Sequence, residues 1–505
     1  MMGFRDQYLQ VRETHCAGVV LVGERAFKFK KAVDLGFLDF RSPQARWRAC
    51  RTEVELNRRF APDVYLGVAA LTLPDGTEEP LVVMRRMPED RRLASLVRGG
   101  VDVDDALRQL ARQLAIAHAR SPRTAEIDRQ VGIDALRGRW MANLEEARAS
   151  VPMVLGAPVF AEVERLVHRF LDGRRALFDR RVSEGCAVDG HGDLMAEDIF
   201  CLDDGPRALD CLEFDDALRY VDRLDDAAFL CMDLERLGAP ALGSAFLAWY
   251  AEFSGDAAPL SLRHHYIAYR AFMRAKIACL RTDLGSQAVV EARQLLGISH
   301  RHLQAGRVTL TLVGGLPGTG KTTLARALGD RLGAVVLSSD RIRKELASVD
   351  PQRSAAAAWG EGIYTAGHTR DAYAELLRQA RVLLGLGESV VLDASWSSAE
   401  NRAAARELAR ETASDLTEVR CEAAADLVTQ RLALRHAHRR LVGDLSDADA
   451  GVATAMASVF APWPEAVRMD TAPPPEDTAR QLAELVRPAG TGYAAPQPRS
   501  VMAPD

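Results

Sequence analysis

The sequence VTLTLVGGLPGTGKTTLARAL at residues 308–328 joins an apolar run, a glycine-rich loop and the start of an amphipathic helix. Residues 315–322, GLPGTGKT, match the pattern G-x-x-x-x-G-K-[ST], whose glycines let backbone N–H groups point at phosphate oxygens. The N-terminus of the following helix adds a favourable dipole for those phosphates. This order of strand, loop and helix predicts a phosphate-binding P-loop in a domain with a parallel sheet.

The loop also predicts roles for individual side chains. Lys321 is expected to contact the β- and γ-phosphates, and the hydroxyl of Thr322 is expected to bind Mg²⁺. The sequence therefore predicts ATP (or GTP) and Mg²⁺ as cofactors. The nucleotide-binding residues predicted in and beside the loop are Gly315, Leu316, Pro317, Gly318, Thr319, Gly320, Lys321, Thr322 and Thr323.

Two aspartates further along the chain fit the same site. Asp393 ends the apolar run SVVLD, where a carboxylate is expected to hold the Mg²⁺ shell. Asp340 follows the run AVVLSS, at the carboxyl edge where ligands bind in open α/β sheets. For both residues the alternative is a helix N-cap, because aspartate commonly accepts the first backbone N–H bonds of a helix.

The alternation of strand-like and helical segments that includes the P-loop continues to residue 487. Four β-rich runs, VTLTLV, AVVL, SVVLDA and LTEVRCEA, alternate with helical segments, which predicts parallel strands with crossover helices over residues 304–487. Residues 488–505 contain Pro, Gly and Ala without periodicity and are expected to form a disordered tail.

The first 303 residues have a different pattern. Residues 1–90 contain two strand-like pairs, VVLV with AFKFKK and LTL with LVVM, around an amphipathic stretch at residues 42–60, which predicts a small α+β lobe. Residues 91–303 have mostly helical spacing, apart from a predicted hairpin within residues 188–213 whose strands IFCL and ALDCLEF are joined by DDGP. The chain is therefore predicted to be a multidomain α+β and α/β protein.

The composition restricts the classes of partner and the cellular compartment that we expect for this protein. The 505 residues carry a net charge of −5, which gives no global basic field for nucleic acid or a membrane, although a local patch stays open. No apolar run approaches the ~20 residues needed to span a bilayer. The eight cysteines contain no CxxC pair, which predicts core thiols in a reducing compartment. We therefore expect a cytoplasmic protein with no membrane partner. The oligomeric state and a nucleic-acid partner stay open.

A second set of residues lies before the P-loop. His191, Gly192 and Asp193, followed by LMAEDI, resemble the catalytic loop of aminoglycoside and choline phosphotransferases, relatives of the protein kinases, in which His-Gly-Asp and four spacers precede Asn. The resemblance implies that Asp193 accepts the proton of the acceptor hydroxyl and that position 198 binds Mg²⁺. Asp198 replaces the asparagine and keeps a hard oxygen ligand. The alternative is a turn whose aspartate satisfies backbone amides.

The same resemblance implies a second Mg²⁺ carboxylate on the next strand. Asp210 in ALDCLEF is the candidate, with Glu213 and Asp215 close to it in the sequence. Together with Asp198, Asp210 is predicted to bind the metal ion of an N-terminal nucleotide site.

The N-terminal lobe is expected to supply a lysine for the α- and β-phosphates of that nucleotide. Only six of the 65 Lys and Arg residues are lysine, and AFKFKK contains three of the six. Lys28 and Lys30 share one face of the predicted strand, and either is a candidate. Glu53 or Glu55 on the following helix is the expected partner.

The P-loop and the following SSDRIR resemble the small-molecule and polynucleotide kinases related to zeta toxin, gluconate kinase and the polynucleotide 5′-kinases. The resemblance implies that Asp340 accepts the proton of an acceptor hydroxyl and that Arg343 steadies the phosphates. It also implies a lid that carries arginines, for which a solvated basic face is the alternative. The lid candidates on one predicted helix are Arg431, Arg435, Arg439 and Arg440.

Segments such as FKFKKAVDLGFLDF, DGHGDL and DCLEFDD make the whole chain resemble actinobacterial-type bifunctional proteins that fuse an aminoglycoside-phosphotransferase-like domain to a P-loop kinase-like domain. The implied domains are a kinase-like N-lobe at 1–90, a mostly helical C-lobe at 91–303 and a P-loop domain at 304–487. The implied function is ATP-dependent phosphotransfer to a hydroxyl of a small molecule. An ATP-switched regulator with an N-terminal pseudokinase, and a polynucleotide 5′-kinase, are the alternatives.

Overall fold

The computed structural model describes residues 9–13, 17–34, 39–280, 285–349, 362–438 and 450–487. The predicted tail at 488–505 and two of the lid candidates, Arg439 and Arg440, therefore lie outside the described residues. No helix within these ranges is long and apolar enough to cross a membrane.

An antiparallel sheet forms the centre of the N-terminal lobe. Its strands are β1 (Leu9–Glu13), β2 (Ala17–Val22), β3 (Arg25–Lys30), β4 (Tyr65–Thr72) and β5 (Glu78–Arg85). Within the described residues they lie in the order β1-β2-β3-β5-β4, and every neighbouring pair is antiparallel. Both predicted hairpins, β2 with β3 and β4 with β5, are confirmed. Strand β1 was not predicted from the sequence.

Helix α1 (Pro43–Asn57) connects β3 to β4 and packs against one face of this sheet. Ser42 caps its first turn by accepting the Ala45 N–H at 3.2 Å, and a proline at the first helical position fits the same start signal. Val54 of the helix and Val82 of the sheet belong to one buried apolar cluster. This packing holds α1 against the sheet that carries the two candidate lysines.

The middle of the chain is mostly helical. Its helices are α2 (Leu93–Arg98), α3 (Asp104–Ala119), α4 (Ala125–Val131), α5 (Ile133–Arg148), α6 (Ala157–Asp172), α7 (Arg175–Ser183), α8 (Arg223–Arg236), α9 (Pro240–Ser254), α10 (Leu260–Cys279) and α11 (Ser286–Ala305). Helices α8 and α10 are buried along most of their length, which places them at the centre of this part.

Four short strands interrupt the helices. They are β6 (Ala187–Asp189), β7 (Ile199–Leu202), β8 (Gly205–Ala208) and β9 (Tyr220–Asp222), paired as β6 with β9 and β7 with β8. The predicted strand ALDCLEF is wrong. The turn takes only two residues, so Gly205 already pairs with Leu202 and the strand ends before Asp210.

The last part of the chain is an α/β domain. Its elements are β10 (Thr309–Gly314), α12 (Lys321–Leu332), β11 (Val335–Ser338), α13 (Ser339–Leu346), α14 (Ala366–Gly385), β12 (Val390–Asp393), α15 (Ala399–Glu411), β13 (Asp415–Glu422), α16 (Ala425–His438), α17 (Ala450–Val459), β14 (Val467–Asp470) and α18 (Pro475–Val486). In the described segments the sheet order is β11-β12-β10-β13-β14, and all neighbours are parallel.

Strand β10 is buried along its whole length, as expected for the central strand of a parallel sheet covered by helices on both faces. The predicted fold class, a two-lobed protein-kinase-like part followed by a P-loop domain with a parallel sheet, is confirmed. Strand β14 was missed because VRMD is short and contains two charged residues. All cysteines in the described ranges are buried and none of them forms a disulfide, as predicted.

The N-terminal part contacts the amino edge of the parallel sheet. Asp415, the first residue of β13, forms ion pairs with Arg169 of α6 at 2.7 Å and with Arg307 at 3.2 Å. Ser261, in the first turn of α10, donates to the Gly387 carbonyl at 2.7 Å, three residues before β12. The P-loop follows the carboxyl end of β10. The contact with the N-terminal part and the P-loop therefore lie at opposite edges of the sheet.

Candidate active sites

Glycines shape the P-loop at its first and last turns. Gly315 has a φ of +137°, and an added Cβ would lie 2.7 Å from the carbonyl oxygen of Cys421. Its N–H donates to the Ser395 carbonyl at 3.1 Å, which ties the loop to the segment after β12. Gly320, just before α12, has a φ of +80°. Only glycine adopts these conformations readily, so the motif's glycines are needed for the loop path.

Lys321 and Thr322 occupy the first turn of α12. Lys321 Nζ donates to the Leu316 carbonyl at 2.9 Å, and Thr322 Oγ1 donates to Asp393 Oδ2 at 2.8 Å. Burial raises the pKa of Asp393, while Lys321 and the Thr322 hydroxyl act in the opposite direction. A hydroxyl beside a buried carboxylate fits Mg²⁺, which prefers hard oxygen ligands and would compensate the buried charge.

Asp340 lies inside the first turn of α13, and Ser338 occupies the N-cap position. The N-cap alternative is therefore wrong for Asp340, and it is wrong for Asp393 because Ser398 caps the next helix. Asp340 Oδ1 accepts from Arg343 at 2.7 Å. The charge of Asp340 also contributes to the raised pKa of Asp393, so the two carboxylates lie near each other at the carboxyl edge of the sheet.

Beyond the other end of the P-loop lies an open cavity of about 540 Å³, lined in part by Gly318, Gly320 and Thr323. Arg431 of α16 donates to the carbonyl of Thr471 at 2.6 Å and to its hydroxyl at 3.1 Å. The Thr471 hydroxyl in turn donates to the carbonyl of Thr319 in the P-loop at 2.8 Å. Thr471 was not predicted, because the strand before it was missed.

Two of the four lid candidates, Arg431 and Arg435, lie within the described residues, on α16. Arg431 lies beside the P-loop and braces the segment after β14, while Arg435 lies one turn further along α16. The roles of both in phosphate binding stay predictions.

In the N-terminal part, both lysines of β3 bind one helix glutamate. Lys28 Nζ lies 2.8 Å from Glu53 Oε1, and Lys30 Nζ lies 2.7 Å from Glu53 Oε2. Glu53 is completely buried, whereas Glu55 is exposed. Glu53 is therefore the helix partner of the lysines, and the alternative of Glu55 is wrong.

Each lysine also contacts an acid from the opposite wall. Lys28 Nζ lies 2.5 Å from Asp210 Oδ1, and Lys30 pairs with Glu213. Burial opposes the charge of Asp210, but the Lys28 cation holds the pKa of that carboxyl below its usual value. Burial likewise opposes the charge of Lys28, and Asp210 and Glu53 raise its pKa well above the ordinary value. The five charges thus stabilise one another in a network that is largely buried, apart from Asp210, whose side chain is 49% exposed.

The His191–Asp193 triplet follows β6 and is anchored by a buried aspartate. Asp226 of α8 accepts the backbone N–H groups of His191 and Gly192, each at 2.8 Å, and bonds to His118 at 2.9 Å. Burial disfavours the Asp226 carboxylate, but the bonds from His118 and the loop hold its pKa well below the usual range. Asp226 satisfies the backbone amides, so Asp193 is not needed for that purpose. The turn alternative for Asp193 is wrong.

Three aspartates come together in this cleft. Burial raises the pKa of Asp193, and Arg274 acts against that rise. Burial and then the charges of Asp210 and Asp193 raise the pKa of Asp198 well above its usual value. Asp210 has a φ of +64°, a strained conformation that is common at functional sites. Repelling carboxylates at this position fit a divalent cation, which would remove the repulsion.

Protein side chains alone do not form a complete metal site in the described ranges, where no group of three or more His, Cys, Asp or Glu is arranged to hold an ion. Mg²⁺ at nucleotide sites usually takes one or two carboxylates, and phosphates and water supply the other ligands. At the N-terminal site Asp198 and Asp210 would be those carboxylates. Asp215, which was also near in sequence, instead accepts the Ala217 N–H at 2.9 Å.

The N-terminal cleft has a volume of about 560 Å³. Its lining comes from the sheet, the segment after β5, helices α5 and α10 and the loops that carry the three aspartates. Lining residues outside those loops include Val19, Leu21, Met84, Arg139, Tyr269, Arg270, Met273, Arg274 and Ile277. The cleft therefore combines apolar and charged side chains, with arginines on α5 and α10.

Comparison with known proteins gives the family. Over 486 residues the chain is 46% identical to the uncharacterized protein Rv2004c of Mycobacterium tuberculosis, and the match covers 96% of both chains. The chain belongs to the Rv2004c family. Residues 310–463 also match the family described as AAA domain.

Two solved structures are similar to this member of the Rv2004c family. Choline kinase from Cryptosporidium parvum is 10% identical, with 59% of this chain and 90% of that chain covered and a TM-score of 0.39. The APS kinase CysC of Mycobacterium tuberculosis, in complex with AMPPNP and APS, is 20% identical, with coverage of 35% and 97% and a TM-score of 0.27.

The structure brings most of the predicted site residues into two groups. The first contains Lys321, Thr322, Asp340, Arg343 and Asp393, and the second contains Lys28, Lys30, Asp193, Asp198 and Asp210. Their catalytic and metal-binding roles stay predictions, as do the domain boundaries. Asp226 was missed, although an aspartate pair in an otherwise apolar helix pattern was a visible signal.

Proposed function

We propose that the C-terminal P-loop site is an ATP- and Mg²⁺-dependent phosphotransferase whose acceptor is a hydroxyl of a small molecule. The observation that carries this proposal is the 2.8 Å contact between Thr322 Oγ1 and Asp393 Oδ2, one residue from Lys321 and beside Asp340. Together these groups provide a hydroxyl and a carboxylate for the metal, a cation for the phosphates and a candidate base.

The arrangement of Asp340 supports a role as the general base of the transfer step. Its Oδ1 accepts from Arg343, which orients the carboxylate. Its Oδ2 makes no hydrogen bond within the described parts of the chain, so this oxygen is the one that would accept the proton of the acceptor hydroxyl. Lys321 would move from the Leu316 carbonyl to the β- and γ-phosphates. Bound Mg²⁺ would neutralise part of the phosphate charge.

We infer that the N-terminal cleft is a second, kinase-like nucleotide site. The pair of Lys28 with Glu53 supports this, because kinases use such a pair to orient the lysine for the α- and β-phosphates. Asp193 would accept the acceptor proton, since Asp226 already anchors its loop. Nucleotide binding requires Lys28 to exchange Asp210 for a phosphate.

A regulatory role for the N-terminal cleft is the second candidate function. It is favoured by Asp198, whose pKa is raised well above the usual value by burial and by two neighbouring acids. A carboxylate in this state would weaken phosphate binding and slow turnover. In this case the P-loop site alone would transfer phosphate, and the cleft would bind nucleotide as a sensor. The polynucleotide 5′-kinase alternative stays a prediction.

Full-length variants separate these functions. ATP consumption is measured with a panel of sugars, aminoglycosides and nucleosides for the wild type, Lys321→Ala, Asp193→Asn and the double variant. We expect Lys321→Ala to lower the rate of phosphotransfer to one acceptor class by a factor of about 10³ or more. If Asp193→Asn removes a separate activity, both sites are enzymes. If it changes nothing, the regulatory role holds.

Arg331→Ala is the matched control, because Arg331 is exposed on the same helix as Lys321 and lies in its last turn. Its activity should equal that of the wild type. Full phosphotransfer by the Lys321→Ala variant on every acceptor would contradict the proposal for the P-loop site.

A further inference from the structure

Helix α10 supplies part of the lining of the N-terminal cleft. Tyr269, Arg270, Met273, Arg274 and Ile277 line the cleft from this helix, and their spacing of three and four residues places them along one helix face. Two of the five are arginines close to the triplet that ends in Asp193. The charge that α10 brings to the cleft therefore depends on how these arginines are paired.

Arg270 is neutralised within the protein. It is buried, and its guanidinium forms two hydrogen bonds with the Asp225 carboxylate, at 2.7 Å and 2.9 Å. A bidentate pair of this kind is strong and leaves little charge for a ligand. Arg270 therefore serves to hold α10 against α8, and its positive charge is not free to act in the cleft.

Arg274 differs from Arg270 in its partners. It is half-buried, and it makes no hydrogen bond or ion pair within the described parts of the chain. After burial, it is the largest influence on the pKa of Asp193, so its guanidinium lies close to the candidate base without contacting it. A half-buried guanidinium that lines a cavity and lacks a partner is well suited to bind an anion from solution.

Arg139 of α5 lines the same cleft. Its one hydrogen bond in the described segments goes to the carbonyl of Gln130, at 2.8 Å, and no carboxylate lies within ion-pair distance there. Its charge reaches Asp225, which Arg270 already neutralises. Arg139 and Arg274 therefore bring to the cleft two positive charges that no ion pair neutralises within the described residues.

The acids of the cleft do not offset these charges. Asp210 and Glu213 pair with the lysines of β3, Asp198 is beside Asp210, and Asp193 is the candidate base. Glu89 and Asp225, which also line the cleft, pair with Arg12 and Arg270, so each acid of the cleft has a role other than recognition of a cationic acceptor. An acceptor with an ammonium group would instead approach two guanidinium groups, which would repel it.

We propose that the acceptor of the N-terminal cleft is an anionic hydroxyl compound, whose phosphate or carboxylate group is bound by Arg274 and Arg139. The proposal rests on the proposed function of this cleft as a phosphotransfer site. The planar guanidinium groups match the oxygens of phosphate and carboxylate in pairs. In the transfer step the acceptor oxygen bonds to the γ-phosphorus, the bond to the ADP oxygen breaks, and Asp193 takes the hydroxyl proton.

The test uses the full-length Lys321→Ala variant as background, so that the P-loop does not contribute. Binding of ADP with Mg²⁺ is measured first by calorimetry. Inorganic phosphate and acetate are then titrated into the nucleotide complex, and glucose, glucose 6-phosphate, gluconate and glucosamine follow as neutral, phosphorylated, carboxylated and cationic probes. We expect an anionic probe to bind at least 10-fold more tightly than its neutral counterpart.

Binding of the anionic probe by an Arg274 variant is the decisive measurement. Arg274→Gln should weaken binding of the anionic probe by about 10-fold or more, Arg139→Gln should weaken it by a smaller factor, and ADP–Mg²⁺ binding should stay unchanged. Arg263→Gln is the matched control, since Arg263 is half-buried in the first turn of the same helix and does not line the cleft. If Arg274→Gln does not fold, Arg139→Gln decides.

The outcomes separate this inference from the proposed function. Absence of ADP–Mg²⁺ binding in the Lys321→Ala background would remove the nucleotide site and the inference together. Three results with normal nucleotide binding would overturn only the inference. They are no anion binding, anion binding by the Arg274 and Arg139 variants that equals that of the background protein, and tighter binding of glucosamine than of the anionic probes. A preference for phosphate over acetate, or the reverse, identifies which anion the arginines recognise.

Discussion

The two candidate nucleotide sites use different physical means to attract phosphate. The P-loop offers backbone N–H groups from one continuous stretch, and its path is set by glycines such as Gly315 and Gly320. The N-terminal cleft uses side chains whose charges already neutralise one another, as in the contact of Lys28 with Asp210. The P-loop therefore needs only a small movement of Lys321 to bind a nucleotide, whereas the cleft must break an ion pair.

Because of this difference, we expect the two sites to differ in nucleotide affinity and in how substitutions affect folding stability. A preorganised loop binds without breaking an ion pair, so its affinity is expected to be high. The cleft loses the free energy of the Lys28–Asp210 contact when a phosphate replaces Asp210. Substitutions in the cleft should consequently alter folding stability strongly, and those in the P-loop should alter ligand binding strongly.

The largest effect is expected for Glu53→Gln. The substitution leaves Lys28 and Lys30 buried without their shared carboxylate, and breaking a buried ion pair typically costs about 3–5 kcal/mol. The free energy of unfolding is measured by urea denaturation. Glu55→Gln on the same helix is the control, because Glu55 is exposed, and it should change stability by less than about 0.5 kcal/mol. Equal effects of the two substitutions would show that the lysine network does not stabilise the fold.

The next effect concerns the P-loop. ATP with Mg²⁺ at 100 times its dissociation constant should stabilise the wild type by about 2.7 kcal/mol, and Lys321→Ala should lose this stabilisation while its stability without ligand stays nearly unchanged. Thermal unfolding with and without ATP–Mg²⁺ checks this expectation. A residual shift in the variant measures occupancy of the N-terminal cleft, and an undiminished shift would contradict the role of Lys321.

An intermediate effect is expected at the contact between the two parts. Asp415→Asn removes the carboxylate that pairs with Arg169 and Arg307, and a loss of about 1–2 kcal/mol is expected because the residue is partly buried. Nucleotide affinities at both sites should stay unchanged, since the contact lies at the edge of the sheet opposite the P-loop. A change in either affinity would indicate coupling between the sites. Asp172→Asn, which breaks the more exposed pair with Arg137, serves as the surface control.

The smallest effect is expected for Asp198→Asn, and it is an increase in the free energy of unfolding. Because the pKa of Asp198 in the folded protein lies above its ordinary value, the ionised side chain destabilises the fold at neutral pH, and this cost disappears as the pH falls. Asp198→Asn should therefore stabilise the protein by about 1 kcal/mol at neutral pH without Mg²⁺, and by less in acid. Denaturation at both pH values checks the sign. Destabilisation at neutral pH would indicate that Asp198 makes a favourable contact as an anion.

The P-loop could be predicted almost completely from the sequence because its function depends on backbone geometry that local residues determine. Gly315, Lys321 and Thr322 are near in sequence, and Asp393 was recognisable as the end of an apolar strand. Thr471 could not be predicted in the same way, because it reaches the loop only after β14 has paired at the sheet edge.

The N-terminal cleft depends on tertiary packing, and its prediction was less complete. Lys28 and Asp210 are 182 residues apart, and the choice between Glu53 and Glu55 depends on which face of α1 packs on the sheet. Asp210 was assigned to a strand because ALDCLEF is apolar enough, but the two-residue turn moved the strand earlier. Arg274 gave no signal, since one arginine in a helical pattern is usually exposed.

The attachment of the N-terminal part to the amino edge of the parallel sheet limits how the two sites can cooperate. Helix α10 runs from Ser261 at this attachment to Arg274 in the cleft, roughly 20 Å along its axis, and β10 adds roughly another 20 Å before the P-loop. The residues that line the N-terminal cleft and those that line the cavity beside the P-loop do not overlap. We therefore expect a compound released from one site to diffuse through the surrounding solution, where it mixes with the bulk pool. Covalent fusion of the two parts therefore guarantees equal numbers of both sites, without giving either site privileged access to the product of the other.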